Sequence, residues 1–129
     1  MLKPLIIILL LSFGFVSSIN ADYKVGYDAL TKGDYKTAYE EFLTLAIRGD
    51  NKAQYRVAKL YGDGIPPSGT SSWELKKDVE KFIFWHTKAA DQGTIESSFI
   101  LGSFYIKQGD IKNSLKWYKK TSQLFFKNK

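Results

Sequence analysis

The chain has 129 residues and a formal charge of +6; 44% of its residues are apolar, 16% aromatic and 25% charged, with one histidine and no cysteine. That length suits one domain rather than two, and the composition is that of a globular chain, not a disordered one. Without cysteine there is no disulfide, no thiolate metal site and no thiol nucleophile, and a transition-metal site would have to be built almost entirely from carboxylates.

The N-terminus reads as a targeting signal over residues 1–21. Lys3 precedes a 12-residue apolar run, Leu5 to Val16, and small residues follow as far as Ala21. That is the order of a secretory signal. Twelve residues fall short of the roughly 20 that span a bilayer, so an uncleaved anchor is the alternative reading. No cysteine follows the run, which excludes a lipoprotein anchor. The expectation is an exported chain starting near Asp22 and held by packing alone.

From there the apolar spacing predicts helices over 23–33, 34–49, 51–62, 78–93, 94–109 and 110–126, with Asp34, Asp78 and Asp110 as N-caps and Gly33, Gly49, Gly93 and Gly109 as stops. No stretch alternates as a strand does. The helices pair off on a shared template. Gly26, Ala58 and Gly102 align, flanked by Tyr23, Tyr55 and Phe99 on one side and Ala29, Tyr61 and Tyr105 on the other. In the second helices Ala38, Phe82 and Ser114 align, as do Glu41, Trp85 and Trp117, then Phe42, His86 and Tyr118, then Ala46, Ala90 and Ser122. One helix pair cannot bury its apolar face alone, whereas three stacked pairs can. The fold class expected is all-α, an α-α solenoid of about three helix-turn-helix repeats over residues 22–129.

Between Gly64 and Asp78 lies IPPSGTSSWELKK, whose Pro, Ser, Gly and Thr content reads as a loop. Surface insertions cost little. As a contact loop, it would offer Trp73 as an exposed aromatic anchor; Trp73 tucked back on the fourth helix is the alternative.

The search for chemistry is negative. There is no phosphate-binding Gly-rich loop followed by Lys-Ser or Lys-Thr, and no Gly-x-Ser-x-Gly elbow. Glu40-Glu41 and Asp78/Glu80 fall at helix starts or on polar faces, where carboxylates are ordinary. His86 occupies a packing slot with no nearby Ser or Cys nucleophile expected. No catalytic residue, no metal and no cofactor is expected. Charge is uneven: residues 105–129 hold seven lysines against Asp110, while residues 22–75 hold seven basic and eight acidic residues. A basic, aromatic C-terminal helix with Leu124, Phe125 and Phe126 near its end suits a solvated face, or weak contact with an anionic membrane surface. Nucleic acid does not suit an exported protein.

AQYRVAKLYGDG followed by KDVEKFIFWHTKAADQG resembles the Sel-one-like repeat, a relative of the tetratricopeptide repeat. Ala53, Val57, Ala58, Tyr61 and Gly64 match the first half of its pattern, and Lys81, Trp85, Lys88, Ala89, Ala90 and Gly93 the second; Phe82 stands where Ala is usual and His86 where Tyr is usual. The third unit keeps Leu101, Gly102, Tyr105, Trp117, Tyr118 and Lys120. The first unit is degenerate, as a capping unit is, and the 65–77 connection is longer than is usual in the family. The resemblance implies that the first helix of each pair lines a concave face. By position this gives Tyr23, Tyr27 and Thr31, then Lys52, Tyr55 and Lys59, then Phe99, Ser103 and Lys107 as partner-binding candidates. Tyr27 and Lys59 are the ones expected to be exposed, while Tyr55 and Phe99 suit inter-repeat core equally. It further implies a non-enzymatic protein-interaction module, in a bacterial periplasm or else secreted or anchored, with a protein or peptide partner; the sequence leaves the oligomeric state open. A cell-wall-directed hydrolase is the remaining alternative, against which the missing cysteine and single histidine argue.

Overall fold

The computed structural model describes residues 21–67 and 72–129. The expected signal segment, apart from Ala21, and Ser68 to Ser71 of the loop lie outside the described residues. Six helices follow in order among the described residues: α1 (Tyr23–Thr31), α2 (Tyr35–Ile47), α3 (Asn51–Asp63), α4 (Val79–Asp91), α5 (Ile95–Lys107) and α6 (Ile111–Lys127). The pairs α1/α2, α3/α4 and α5/α6 pack internally, and each pair stacks on the next through α2 with α3 and α4 with α5. The fold is all-α, an α-α solenoid of three helix-turn-helix repeats.

The turns explain why the helices follow one another so closely. Gly33, Gly49, Gly93 and Gly109 all have positive φ, between 76° and 101°, a region that side chains with a Cβ avoid. At each, the N–H of the glycine and the N–H of the next residue return to carbonyls of the ending helix: Asp34 to Ala29, Asp50 to Leu45, Thr94 to Ala89 and Asp110 to Tyr105, at 2.9–3.1 Å. This is a Schellman closure. The residue that closes one helix also opens the next. Asp34, Asp50 and Asp110 accept from the backbone N–H of Thr37, Ala53 and Asn113 at 3.2, 2.8 and 3.0 Å. Asp22 and Asp78 cap α1 and α4 in the same way. A Gly-Asp pair therefore stops one helix and starts another with no residue between.

Within pairs, small residues admit aromatic rings. A Cβ at Gly26 would stand 2.9 Å from Phe42, and one at Gly102 2.8 Å from Tyr118. In the middle pair Phe82 stands where the other units have Ala38 and Ser114, and its ring lies 2.8 Å from where a Cβ of Gly62 would be. Gly62 makes the room that Phe82 needs. One core cluster joins the first two pairs around Phe42, Val57 and Tyr61; a second lies in the last two around Ala90, Leu101 and Trp117. Polar groups stitch the pairs. Buried Gln54 donates to the Ala46 carbonyl at 3.1 Å and accepts from Gln92 at 2.7 Å, while buried Ser114 donates to the Gly102 carbonyl at 2.9 Å. Among the described residues no buried side-chain nitrogen or oxygen lacks a partner.

The loop is closed at its base. Ile65 and Leu75 exchange both backbone hydrogen bonds, at 2.7 and 2.8 Å. Trp73 is half-buried on the first core cluster, its ring 5.7 Å from that of Tyr39. This corrects the reading of Trp73 as an exposed anchor: the indole turns inward, where it meets Tyr39 of α2. The bridge turns the segment back across the first repeat, which brings the indole onto Tyr39.

Candidate functional site

The first helices α1, α3 and α5 carry two adjoining grooves. The first, of about 400 Å³, gathers Tyr23 of α1, Lys52, Tyr55 and Arg56 of α3, Ile95 and Glu96 of α5, and Asn128 after α6. The second, of about 340 Å³, lies toward the C-terminal ends of α1 and α3 and is walled by Leu30, Phe42, Leu60, Ile65 and Pro66, with Arg56 and Lys59 at its edge. Arg56 borders both.

Arg56 is the residue that sequence reasoning missed. It is half-buried. Its Nε donates to the Tyr23 hydroxyl at 3.0 Å, and its guanidinium lies 5.3 Å from the Tyr27 ring centre and 5.9 Å from that of Tyr55. Cation–π contact and the phenol bond hold the side chain in place. The available signal was its position next to Tyr55, since an arginine beside an aromatic strip stacks on it.

The nine candidate residues divide in two. Tyr23, Lys52 and Tyr55 meet in the first groove, Lys59 borders the second, and Tyr27 stands 44% exposed against Arg56. Lys59 also pairs with Asp63 at 3.2 Å. Thr31 is exposed and its hydroxyl donates to the Asp28 carbonyl at 2.8 Å, which ties it to the end of α1. Phe99, Ser103 and Lys107 line neither groove. Phe99, 54% exposed, packs its ring 5.7 Å from Tyr118, and Ser103 shares a 3.0 Å hydrogen bond with the Tyr118 hydroxyl. That part of α5 turns toward α6 because Gly102 draws the Tyr118 ring against it.

Compared by sequence, the chain matches no family model and no curated protein. By structure it is similar to a protective antigen present in uropathogenic Escherichia coli strains, whose crystal structure displays an SLR (Sel-one-like repeat) fold, with a TM-score of 0.64 and 27% identity over 78% of this chain. The fold is that of the Sel-one-like repeats. The chain spans 22% of the antigen's length. Folds of this kind generally mediate protein–protein interaction and are typically non-enzymatic.

In the repeat's template, His86 stands where Tyr is usual. It is 1% exposed and edge-on to Phe82 and Tyr55, at 4.7 and 5.7 Å. Its Nδ1 lies 3.0 Å from the hydroxyl of Ser97, itself fully buried. The expectation that no serine stands near His86 is therefore corrected: Ser97, eleven residues on, arrives from α5 by stacking. The pair is a packing device. Burial first, then the positive charge of Lys59, lowers the His86 pKa from 6.5 to about 4, a poor match for a general base working near neutral pH. Among the described residues no carboxylate hydrogen-bonds to the imidazole, and Ser97 offers no surface to a substrate. Burial likewise pushes the Tyr39 phenol up, helped by its 2.7 Å hydrogen bond to Tyr61. Among the described residues no group of three His, Asp or Glu is placed to hold a metal ion, and no helix is long and apolar enough to cross a membrane.

Proposed function

We propose that this is an exported, non-enzymatic adaptor that binds a partner polypeptide on the concave face formed by α1, α3 and α5. The observation that carries the reading is the pair of grooves joined at Arg56, where Tyr23, Tyr27 and Tyr55 surround a positioned guanidinium. Tyrosine supplies contact area at low entropic cost, arginine adds charge-assisted hydrogen bonds, and lysines at the edge steer an acidic partner. Export rests on the N-terminal signal pattern, with a bacterial periplasm as the compartment that fits it.

The test is photo-crosslinking in the source organism, with a benzophenone side chain at Tyr27 or, as a control on a second helix, at Phe84, which is 49% exposed. One protein captured at position 27 and not at 84 is the expected result; capture at 84 alone refutes the assignment of the face. Fractionation with N-terminal sequencing checks export, the expected first residue lying near Asp22.

A second reading, contact with an anionic membrane surface, draws on α6. Leu115 and Phe126 are 64% and 70% exposed among Lys112, Lys116, Lys119 and Lys127. Salt-sensitive binding of the full chain to anionic vesicles is its expected signature, and indifference to them at low salt removes it.

A further inference from the structure

We propose that the cavity at the C-terminal ends of α1 and α3, together with Arg56, receives the carboxyl terminus of a partner polypeptide ending in an apolar residue; this deepens the concave-face reading and rests on it. The cavity is lined by Leu30, Phe42, Leu60, Ile65 and Pro66, and its volume of about 340 Å³ lies at the small end of the roughly 300–1,000 Å³ typical of ligand pockets. A short apolar group fits that space better than a long extended segment. Of the cavity's other charged lining residues, Lys59 is matched to Asp63 at 3.2 Å. Arg56 makes no ion pair with any described residue. Its Nε is spent on Tyr23, and the two terminal nitrogens remain to grip a carboxylate in the bidentate manner that arginine favours. Two aromatic rings flank the guanidinium and the residue is half-buried, so an incoming anion meets a cation that is partly desolvated and fixed in direction. Because Arg56 is itself part of the cavity wall, carboxylate and apolar group must arrive within one residue of each other. A C-terminal residue carries both on a single Cα.

The probe is a pool of octapeptides, randomised at seven positions and ending in Leu or Phe, made as free acids and as C-terminal amides and selected on the full-length protein. Selected acids are expected to bind at least about ten-fold more tightly than their own amides, consistent with one charged hydrogen-bonded contact. Arg56→Gln removes that difference, Arg56→Lys restores only part of it, and circular dichroism verifies that both variants fold. Equal binding of acid and amide, no selection from the acid pool, or an acid preference that survives Arg56→Gln overturns the proposal. So does displacement of the peptides by octanoate at equal affinity, which would make the site one for small carboxylates. Selection of amides, with crosslinking at Tyr27 intact, removes the carboxylate recognition and leaves the concave-face reading standing; loss of the Tyr27 crosslink removes the latter.

Discussion

Acidification acts on this fold through one buried ring. His86 is 1% exposed and stays neutral in the folded chain down to a pKa of about 4, against 6.5 when exposed. Below pH 6.5 the unfolded chain gains a proton that the folded chain refuses, so stability falls with falling pH. The loss runs from pH 6.5 to about 4 and then levels off for this group. Each pH unit is worth 1.36 kcal/mol, so the full window costs about 3 kcal/mol, a large part of the roughly 5–15 kcal/mol that domains possess. The aspartates that cap helices act lower. Hydrogen bonds hold Asp34, Asp78 and Asp110 below 3.8, so their contribution, present above that value, disappears only as pH falls through their folded pKa values. The assay is urea unfolding between pH 4 and 7.5 for the native chain and for His86→Gln, with the imidazole titrated by NMR. The variant is expected to lose the pH 4–6.5 slope while keeping the steeper acid limb. Parallel curves, or an imidazole that titrates near 6.5, refute the reasoning.

Four further outcomes are expected. Phe42→Ala empties the centre of the first core cluster and lowers stability by about 3–5 kcal/mol, read as a shift of the urea midpoint at unchanged slope. Gly102→Ala places a methyl 2.8 Å from the Tyr118 ring; it destabilises by about 1–2 kcal/mol after the better helix propensity is counted, and is neutral or stabilising in a Tyr118→Ala background. Asp50→Ala removes the cap on Ala53 and lowers stability by about 1 kcal/mol in thermal unfolding. Trp73→Ala lowers stability by roughly 2 kcal/mol, because the indole covers the first core cluster, and leaves crosslinking at Tyr27 unchanged; a variant of native stability with binding lost would reverse that assignment.

The helices were legible because each boundary is written locally: the glycine needs its positive φ and the aspartate its cap within one or two residues. The template was legible for the same reason, since Gly26 and Gly102 face aromatic rings sixteen residues further on at the same register. What stayed hidden depends on stacking between pairs or on a chain reversal. Ser97 reaches His86 only once α5 lies on α4. Trp73 turns inward because Ile65 and Leu75 bridge, and no alternating pattern announces a single bridge. Arg56 lies one position off the aromatic strip, and its role emerges when Tyr23, thirty-three residues away, comes within 3.0 Å. Phe99 and Ser103, read onto the binding strip by position, are drawn toward Tyr118 instead.

The bridge between Ile65 and Leu75 has a mechanical meaning. With the Asp78 N–H bound to the Tyr61 carbonyl at 3.1 Å, it fixes the separation of α3 and α4 before the remainder of the insertion begins. Length added or removed beyond those two rungs is not transmitted to the stacking of the repeats. The pitch of the superhelix is thereby decoupled from the residues between Pro66, which walls the second groove, and Trp73, which covers the first core cluster; that stretch can change its sequence, or carry a foreign one, while the grooves on the first helices keep their shape.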